Sequence, residues 1–416
     1  MDTHRLKHAA VPAMATAICF VIILIAGELA TFVPLPWLGN WTDHVARVQP
    51  HFVDRFFPFD AQWYARIATD GYVWNPAYPA LKQDVAFFPL WPLILRLVAL
   101  CVTSANAARW VVVGVAASFA AASIGAFHTL ARRLLREGPA STATLLFSLY
   151  PAANFLLLSY PTGLMNLLCI LALLALMDGR IWRAALFSGL VTAIGPLGLG
   201  TALTVCAMAA LRALPNIRRA QNPRMQFCRE MAALIPLGLL SVAGLIGFLL
   251  WQYVTLGDAL AFIKAQEAWA VSLSWPKRIP RGVLQAMILP DFIAALGELR
   301  HAAHAATLVA LQASLEKSLQ TAALGVALIG VLASARLQCR PVLLQGAFTL
   351  ALFIWFHSTS RPGNSTLRLT YCTIGMFLGM AWLLRHRPRL AVAVISSSAA
   401  CLACGAFLSA AGYHVV

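Results

Sequence analysis

The chain has 416 residues, of which 60% are hydrophobic and 11% are charged, and its formal net charge is +16. This composition lies far outside the range of soluble globular proteins. The basic residues stand in short clusters between apolar segments of about 20 residues, which is typical of cytoplasmic loops and does not indicate a nucleic-acid partner. The sequence therefore predicts an all-α polytopic membrane protein, because a spanning helix satisfies its own backbone hydrogen bonds.

The first predicted span is Val11 to Val33. It follows Arg5 and Lys7 and has no small-residue cleavage site after it, so we expect an uncleaved signal anchor with a cytoplasmic N-terminus. The next stretch, 34–106, is predicted to be the first extracytoplasmic loop, with interfacial helices. Its apolar part, 85–102, contains three residues that disfavour a span (Pro89, Pro92 and Arg96). Reading it as spanning would also put the arginine cluster at 132–136 outside, so we expect a helix lying in the outer interface.

The remaining apolar segments alternate with basic clusters and complete about eleven spans in a single transmembrane domain, 1–416, with its C-terminus outside. A second extracytoplasmic loop is predicted at about 255–316. The stretch 183–213 is too long for one helix and is interrupted at Gly195–Pro196, so we expect two short helices there that meet on the outer side. The other spans are predicted at about 109–130, 139–159, 163–178, 231–254, 317–335, 341–358, 367–384 and 390–412.

The most informative segment runs from Phe59 to Tyr72, in the first predicted loop. On a helix that begins at Asp60, four side chains share one face, and Gly71 stands where such a helix would end. A carboxylate sheltered by aromatic rings can serve as a general base. The same residues also permit a purely structural interpretation, in which Asp60 caps an interfacial helix that its aromatic residues anchor among headgroups. The four side chains are those of Asp60, Trp63, Tyr64 and Ile67.

This segment resembles the signature WDGxHYxxIAxxGY, followed by AFFPLYPLL, of the PIG-V-like membrane mannosyltransferases in the GT-C superfamily. Three later regions resemble further family motifs in the same order: 150–162 the PAxxFxSxxYSES region, 257–269 the GDPLAFxxAQxxW segment, and 366–380 the SxPRYLLxxFP helix. The chain also departs from the family. Trp63 replaces a histidine and Phe59 a tryptophan, Thr162-Gly163 stands where the family has an acid, and Gly195 stands in the turn that carries an arginine in the family.

The resemblance implies an enzyme that transfers a sugar, usually mannose, from a polyprenyl phosphate to a lipid, glycan or protein acceptor outside the cytoplasm. Asp60 would be the base that deprotonates the acceptor. The phosphate leaving group requires positive charge, which Arg368, with Arg361 or Lys264, or a divalent cation (Mg²⁺ or Mn²⁺) would supply. No resident metal site is predicted. The remaining residues expected to bind donor or acceptor are Gln62, Trp63, Tyr64, Lys82, Asp84 and Tyr160.

Two other functions stay open at this point. A transporter or lipid flippase would be expected to carry ionisable groups near the middle of its spans, and Glu28 is the one acid predicted clearly inside a span. An assembly subunit without catalytic activity would tolerate the lost acid and arginine. The compact loops favour a bacterial inner membrane, with membrane lipids as neighbours.

Overall fold

The computed structural model describes residues 3–30, 32, 52–78, 81–102, 104–266, 268, 320, 322–357 and 365–411. These residues form helices and turns, with no β-strand among them, and the predicted all-α polytopic membrane fold is confirmed. The helices are α1 (Thr3–Leu29), α2 (Asp60–Asp70), α3 (Leu90–Leu100), α4 (Ala105–Leu134), α5 (Glu137–Ser148), α6 (Thr162–Met177), α7 (Ile181–Thr192), α8 (Leu199–Arg219), α9 (Pro223–Ser241), α10 (Ala243–Leu256), α11 (Ala261–Gln266), α12 (Ala322–Leu337), α13 (Arg340–His357), α14 (Thr366–Thr370), α15 (Ile374–Leu384) and α16 (Pro388–Ala410).

Four of these helices, α1, α4, α8 and α16, are each long and apolar enough to cross a membrane. The pair α9 and α10 would make a fifth span, bent by 66°. The described residues also form shorter apolar helices, among them α3, which was predicted to be interfacial, and buried non-helical segments extend several of them. Such segments are tolerated at membrane depth where they are enclosed by protein.

The predicted span at 231–254 is bent by 66° between Ser241 and Ala243. The bend follows the surface of α7. A Cβ atom added to Gly189 would lie 2.4 Å from the carbonyl oxygen of Leu240, and one added to Gly244 would lie 2.3 Å from the carbonyl oxygen of Gly189. Glycine therefore permits a backbone approach that a straight helix with larger residues could not make.

The predicted span at 139–159 is not one continuous helix. Helix α5 ends at Ser148, and the buried segment after it contains a 3₁₀ turn, Ala153–Leu156. Pro151 explains the end of the helix, because a proline in a helix interior removes a hydrogen bond and clashes with the preceding turn.

The predicted span at 367–384 divides into α14 and α15. Gln345 of α13 satisfies the backbone at the break: its Nε2 donates to the Cys372 carbonyl oxygen at 2.8 Å, and its Oε1 accepts from the Ile374 N–H at 3.2 Å. A buried amide side chain thus replaces the lost helical hydrogen bonds.

The interruption predicted within 183–213 is confirmed. Helix α7 ends at Thr192, a 3₁₀ turn spans Pro196–Gly198, and α8 begins at Leu199. The second helix is 21 residues long, so the prediction of two short helices is wrong for α8. The Leu90 N–H donates to the Ala193 carbonyl oxygen at 3.0 Å, which fixes the start of α3 against this interruption.

Helix α3 has the surface that an interfacial helix requires. It buries Trp91 and Leu95, while Leu93, Leu97 and Leu100 are exposed together with Arg96. The exposed leucines lie at helical spacings of four and three residues, so they form one apolar face.

Candidate active site

The helix that carries Asp60 has the predicted limits. It begins at Asp60, directly after Phe59, whose φ is +51°, and the N–H of Gly71 closes it on the Ile67 carbonyl oxygen. Gly71 has φ +84°, a left-handed conformation that glycine adopts at little cost. Tyr64 and Ile67 are buried, so the predicted face of α2 does point into the protein.

The Asp60 carboxylate forms an ion pair with Arg368, although 308 positions separate the two residues in the chain. Arg368 Nη1 lies 2.6 Å from Asp60 Oδ2, and their side chains are 21% and 22% exposed, respectively. The guanidinium also lies over two aromatic rings, with its Cζ 5.5 Å from the Phe155 centroid and 5.3 Å from that of Tyr160. The site is therefore a partly sheltered carboxylate–guanidinium pair that packs on the rings of Phe155 and Tyr160. Charges interact more strongly there than in water.

Tyr160 holds the backbone at Asp60. Its buried hydroxyl oxygen accepts the Asp60 N–H at 2.9 Å and donates to the Pro58 carbonyl oxygen at 3.4 Å. The first N–H groups of a helix have no partner within the helix, so this bond satisfies one of them. Tyr160, which the sequence suggested as a ligand contact, thus bonds to the protein backbone itself.

Arg368 is positioned by the anchoring of the short helix α14. The Tyr150 hydroxyl bonds to Thr370 Oγ1 at 3.0 Å, and the Tyr371 hydroxyl donates to the Phe147 carbonyl oxygen at 2.7 Å. The Leu367 N–H donates to Gln320 Oε1 at 3.1 Å. These bonds join α14 and the residue after it to the end of α5 and the segment that follows, and to Gln320, which fixes the position of the Arg368 guanidinium.

Lys82 and Asp84, both predicted to bind donor or acceptor, lie in different surroundings. Asp84 is buried, with its side chain 1% exposed, and it pairs with Arg66, whose Nε lies 3.1 Å from Asp84 Oδ1. Its other oxygen, Oδ2, has no hydrogen-bond partner in the described part of the chain. Burial raises the pKa of the Asp84 carboxyl, and the hydrogen bond from Arg66 opposes that rise. Lys82 is exposed nearby.

Arg66 contacts both Asp84 and the group of aromatic rings beside Asp60, which comprises Trp63, Tyr64 and Phe87. Its Cζ lies 4.4 Å from the Trp63 ring centroid, and Trp63 stacks on Phe87 at 5.7 Å. Tyr64 meets Phe87 edge-on at 5.1 Å. Trp63 and Tyr64 therefore lie close to Asp60 as the sequence predicted, and Arg66 is an addition that the sequence did not suggest.

The other predicted site residues are more dispersed. Gln62 is exposed on α2. Lys264 Nζ pairs with Asp258 Oδ2 at 2.6 Å, and this hydrogen bond lowers the pKa of the Asp258 carboxyl. Its charge is thus already balanced within its own segment. Arg361 lies outside the described residues.

The start of the second predicted loop docks onto the first. Gln266 Nε2 donates to the Ala86 carbonyl oxygen at 2.8 Å, and Gln252 Nε2 donates to that of Val85 at 3.5 Å. Gln252 Oε1 also accepts the Phe262 N–H at 3.3 Å. Residues 252–266 therefore contact residues 85–86, about 180 positions earlier in the sequence, next to Phe87 and the aromatic rings close to Asp60.

Among the described residues, Asp60 is not part of a cluster of side chains that could hold a divalent cation. No group of three or more His, Cys, Asp or Glu side chains comes together among the described residues, and the partner of Asp60 is an arginine. Mg²⁺ is usually held by one or two carboxylates together with substrate phosphates. The described residues do not form a resident metal site, and metal dependence stays a prediction.

Sequence reasoning missed Arg66 and Phe155. Arg66 lies on α2 but outside the face shared by Asp60 and Trp63, so helical periodicity gave it no role. Phe155 lies in the non-helical segment that had been predicted as part of a span, and its contact with Arg368 depends on that break.

The fold and the site define a polytopic α-helical membrane protein in which a partly sheltered carboxylate–guanidinium pair, Asp60 with Arg368, lies against aromatic rings. The family model described as "Mannosyltransferase (PIG-V)" matches residues 18–269, more than half of the chain. The chain belongs to this mannosyltransferase family. The matched residues include Asp60 and Tyr160, while Arg368 lies beyond them.

Two solved structures are similar along most of this chain. The archaeal oligosaccharyltransferase AglB from Archaeoglobus fulgidus, in complex with an inhibitory peptide and a dolichol-phosphate, has a TM-score of 0.45 and 14% identity, covering 99% of this chain and 56% of that one. An oligosaccharyltransferase from the same organism, tethered to an acceptor peptide, has a TM-score of 0.39 and 14% identity, covering 95% and 55%. This chain thus spans about half the length of each. Comparison with curated proteins gave no match.

Proposed function

We propose that this protein is a membrane glycosyltransferase that moves mannose from a polyprenyl-phosphate-linked donor to an acceptor hydroxyl on the extracytoplasmic side, with Asp60 as the general base. The single observation that carries the proposal is the Asp60–Arg368 pair, 2.6 Å apart and partly exposed. It puts a proton acceptor beside an anion-binding cation. Both are needed when a hydroxyl attacks a sugar that leaves a phosphate behind.

In this mechanism an Asp60 carboxylate oxygen takes the proton of the acceptor hydroxyl as that oxygen forms a bond to the anomeric carbon. The bond from the anomeric carbon to the phosphate oxygen breaks, and the polyprenyl phosphate leaves with the electron pair. Arg368 has five N–H groups, so it can hold Asp60 through Nη1 and direct other donors at the phosphate. The N-terminus of α2, where Asp60 stands, favours negative charge as well.

The extracytoplasmic position is supported by the distribution of charge. Basic residues end α4 (Arg132 and Arg133) and α8 (Arg218 and Arg219), and others separate α15 from α16. Along the path of the chain these ends lie opposite the end that carries Asp60. Positively charged loops remain in the cytoplasm, so this arrangement favours an external Asp60.

The donor class is tested with the purified protein in lipid vesicles, supplied either with polyprenyl-phosphate-mannose or with a nucleotide-linked mannose, together with an extract of membrane lipids and glycans as acceptors. The mannosylated product is detected by mass spectrometry. We expect mannose transfer from the lipid-linked donor alone. Transfer from the nucleotide-linked donor at an equal or higher rate would refute the proposed donor.

A further inference from the structure

Arg66 lies on the same helix as Asp60, and two neighbours hold its guanidinium in place. Its Nε donates to Asp84 Oδ1 at 3.1 Å, and its Nη2 donates to the same oxygen. Its Cζ lies 4.4 Å from the centroid of the Trp63 ring. A guanidinium has five N–H groups, so the bonds to Asp84 leave three of them, two on Nη1, without a hydrogen-bond partner in the described part of the chain.

The two members of this ion pair differ in exposure. The side chain of Arg66 is 49% exposed, whereas that of Asp84 is 1% exposed. A molecule outside the protein therefore meets the guanidinium and not the carboxylate. In the pair of Lys264 with Asp258, by contrast, the acid is 22% exposed beside its lysine. Arg66 thus presents positive charge at the surface, in a fixed orientation that suits an anion with several oxygens, such as a phosphate.

A row of four contacting aromatic rings connects Arg66 to the Asp60–Arg368 pair. The guanidinium of Arg368 lies over the first ring, 5.3 Å from its centroid, and that of Arg66 lies over the last at 4.4 Å. Neighbouring centroids in the row are 6.1, 5.1 and 5.7 Å apart. Two cations therefore lie at opposite ends of one aromatic row, and Asp60 contacts only the first of them. The rings, in order, are those of Tyr160, Tyr64, Phe87 and Trp63.

The separation of Arg66 from Asp60 suits a direct displacement at the anomeric carbon. Arg66 follows Asp60 by six residues, which is about 9 Å along a helix axis. Helical side chains point back toward the N-terminus, and the contact with Trp63, three residues earlier, holds the Arg66 guanidinium in that direction. In a direct displacement the entering and leaving oxygens lie on opposite faces of the sugar. Inverting glycosidases accordingly keep the two groups that serve these oxygens about 6.5–9.5 Å apart.

We propose that Arg66 is a second phosphate-binding residue of the site, which holds the donor phosphate on the side away from Asp60, and that Asp84 and Trp63 orient its guanidinium. This inference rests on the function proposed above, because it takes a polyprenyl-phosphate-linked sugar as the donor. The remaining N–H groups of Arg66 donate to phosphate oxygens, whose charge rises from about −1 to between about −1.5 and −2 as the sugar leaves. Arg368 remains the cation nearest the base.

The test measures binding of a polyprenyl phosphate to the full chain in detergent by native mass spectrometry, with the polyprenol of equal chain length as the uncharged comparison. Arg66→Gln should weaken binding of the phosphate about tenfold and leave binding of the polyprenol unchanged, because charge-assisted hydrogen bonds are lost. The matched control is Arg109→Gln. Arg109 is also 49% exposed and also pairs with an aspartate, Asp54, at 2.5 Å, so its replacement should change neither affinity.

A double variant separates the loss of the cation from the loss of the ion pair. Arg66→Gln alone leaves the buried Asp84 carboxylate without its cation, which can destabilise the fold. Arg66→Gln combined with Asp84→Asn leaves no buried charge unpaired, so it should stay folded, as measured by Tm, and still bind the phosphate about tenfold more weakly than the parent. Asp84→Asn alone keeps the guanidinium and should bind the phosphate at least as tightly as the parent.

Neither sugar nor acceptor takes part in this measurement, so its result does not depend on whether mannose is transferred. Phosphate binding that requires Arg66 would uphold the inference even if the transfer assay failed. Mannose transfer by a parent protein whose phosphate affinity is unchanged in the double variant would overturn the inference and leave the proposed function intact. Equal weakening of phosphate and polyprenol binding in the double variant would also overturn it, because the change would then not concern the phosphate.

Discussion

At the scale of single residues, the site depends on how firmly Asp60 is oriented. Its side chain is held by Arg368, 308 positions away in the sequence, and its backbone N–H by the Tyr160 hydroxyl, 100 positions away. Neither contact is a helix cap in the usual sense, because the Asp60 side chain turns away from its own backbone toward Arg368. The structural alternative for Asp60, an N-cap of an interfacial helix, therefore does not describe its contacts.

Tyr160→Phe should lower kcat by about fivefold with little change in KM, because it removes a bond worth about 1 kcal/mol that orients the base. The control is Ser188→Ala, which removes a buried hydroxyl that donates to the Ser241 carbonyl oxygen at 3.0 Å and has no part in holding either member of the pair. Both variants should lose similar thermal stability, measured as Tm in detergent. Equal kcat values for the two would show that the Tyr160 hydroxyl has no role in positioning Asp60.

Asp84 should make stability depend on pH in the opposite sense to an ordinary ion-paired aspartate. Since burial raises its folded-state pKa above the usual 3.8, the folded protein holds the proton more tightly than the unfolded chain does. The contribution of Asp84 to stability is then largest in acid and falls as pH rises from about 4. We expect the Tm of Asp84→Asn, relative to the parent protein, to increase between pH 4.5 and pH 8. A difference that decreases with pH would mean that Arg66 outweighs burial.

At the scale of helices, glycine contacts decide where spans break and how closely they pack. A Cβ on Gly200, in the first turn of α8, would lie 2.4 Å from Thr349 Oγ1 and 2.9 Å from its Cα on α13. Gly195, just before the 3₁₀ turn, has an extended φ of 177° and no atom within 4 Å of such a Cβ. The two glycines flank the same interruption, but only one of them is enclosed.

Gly200→Ala should therefore destabilise the protein by about 1–3 kcal/mol through overpacking, whereas Gly195→Ala should be close to neutral. The measurement is the Tm of both variants in the same detergent. If Gly195→Ala proved as harmful as Gly200→Ala, the interruption would be sensitive to backbone flexibility and not to the contact between α8 and α13.

At the scale of the whole molecule, local sequence signals predicted some features of the fold, whereas others depend on contacts between segments that are distant in sequence. Periodicity and Gly71 sufficed to predict both ends of α2, because those signals are local. The bend between α9 and α10 follows from contact with α7 and has no local signal, since apolar residues continue across it. The pairing of Asp60 with Arg368 was likewise invisible: resemblance assigned both residues to one site, but it did not show that they bind each other.

The orientation of the molecule gives its own prediction. A cysteine placed at the exposed Gln62 should react with an impermeant maleimide added outside intact cells, and one placed at the exposed His386 should react only after the membrane is opened. Labelling is compared with the parent protein, which has exposed cysteines of its own. External labelling at His386 and not at Gln62 would invert the proposed topology.

The central claim, that Asp60 is the base of a sugar transfer, is tested most directly by the rate of mannose transfer from polyprenyl-phosphate-mannose by Asp60→Asn. Asp54→Asn is the matched control, because Asp54 is similarly sheltered, 18% exposed against 22%, and is also paired with an arginine. Loss of a general base should lower kcat by about 10²- to 10⁴-fold in Asp60→Asn, while Asp54→Asn stays near the parent rate. A rate for Asp60→Asn as high as that of Asp54→Asn would contradict the account.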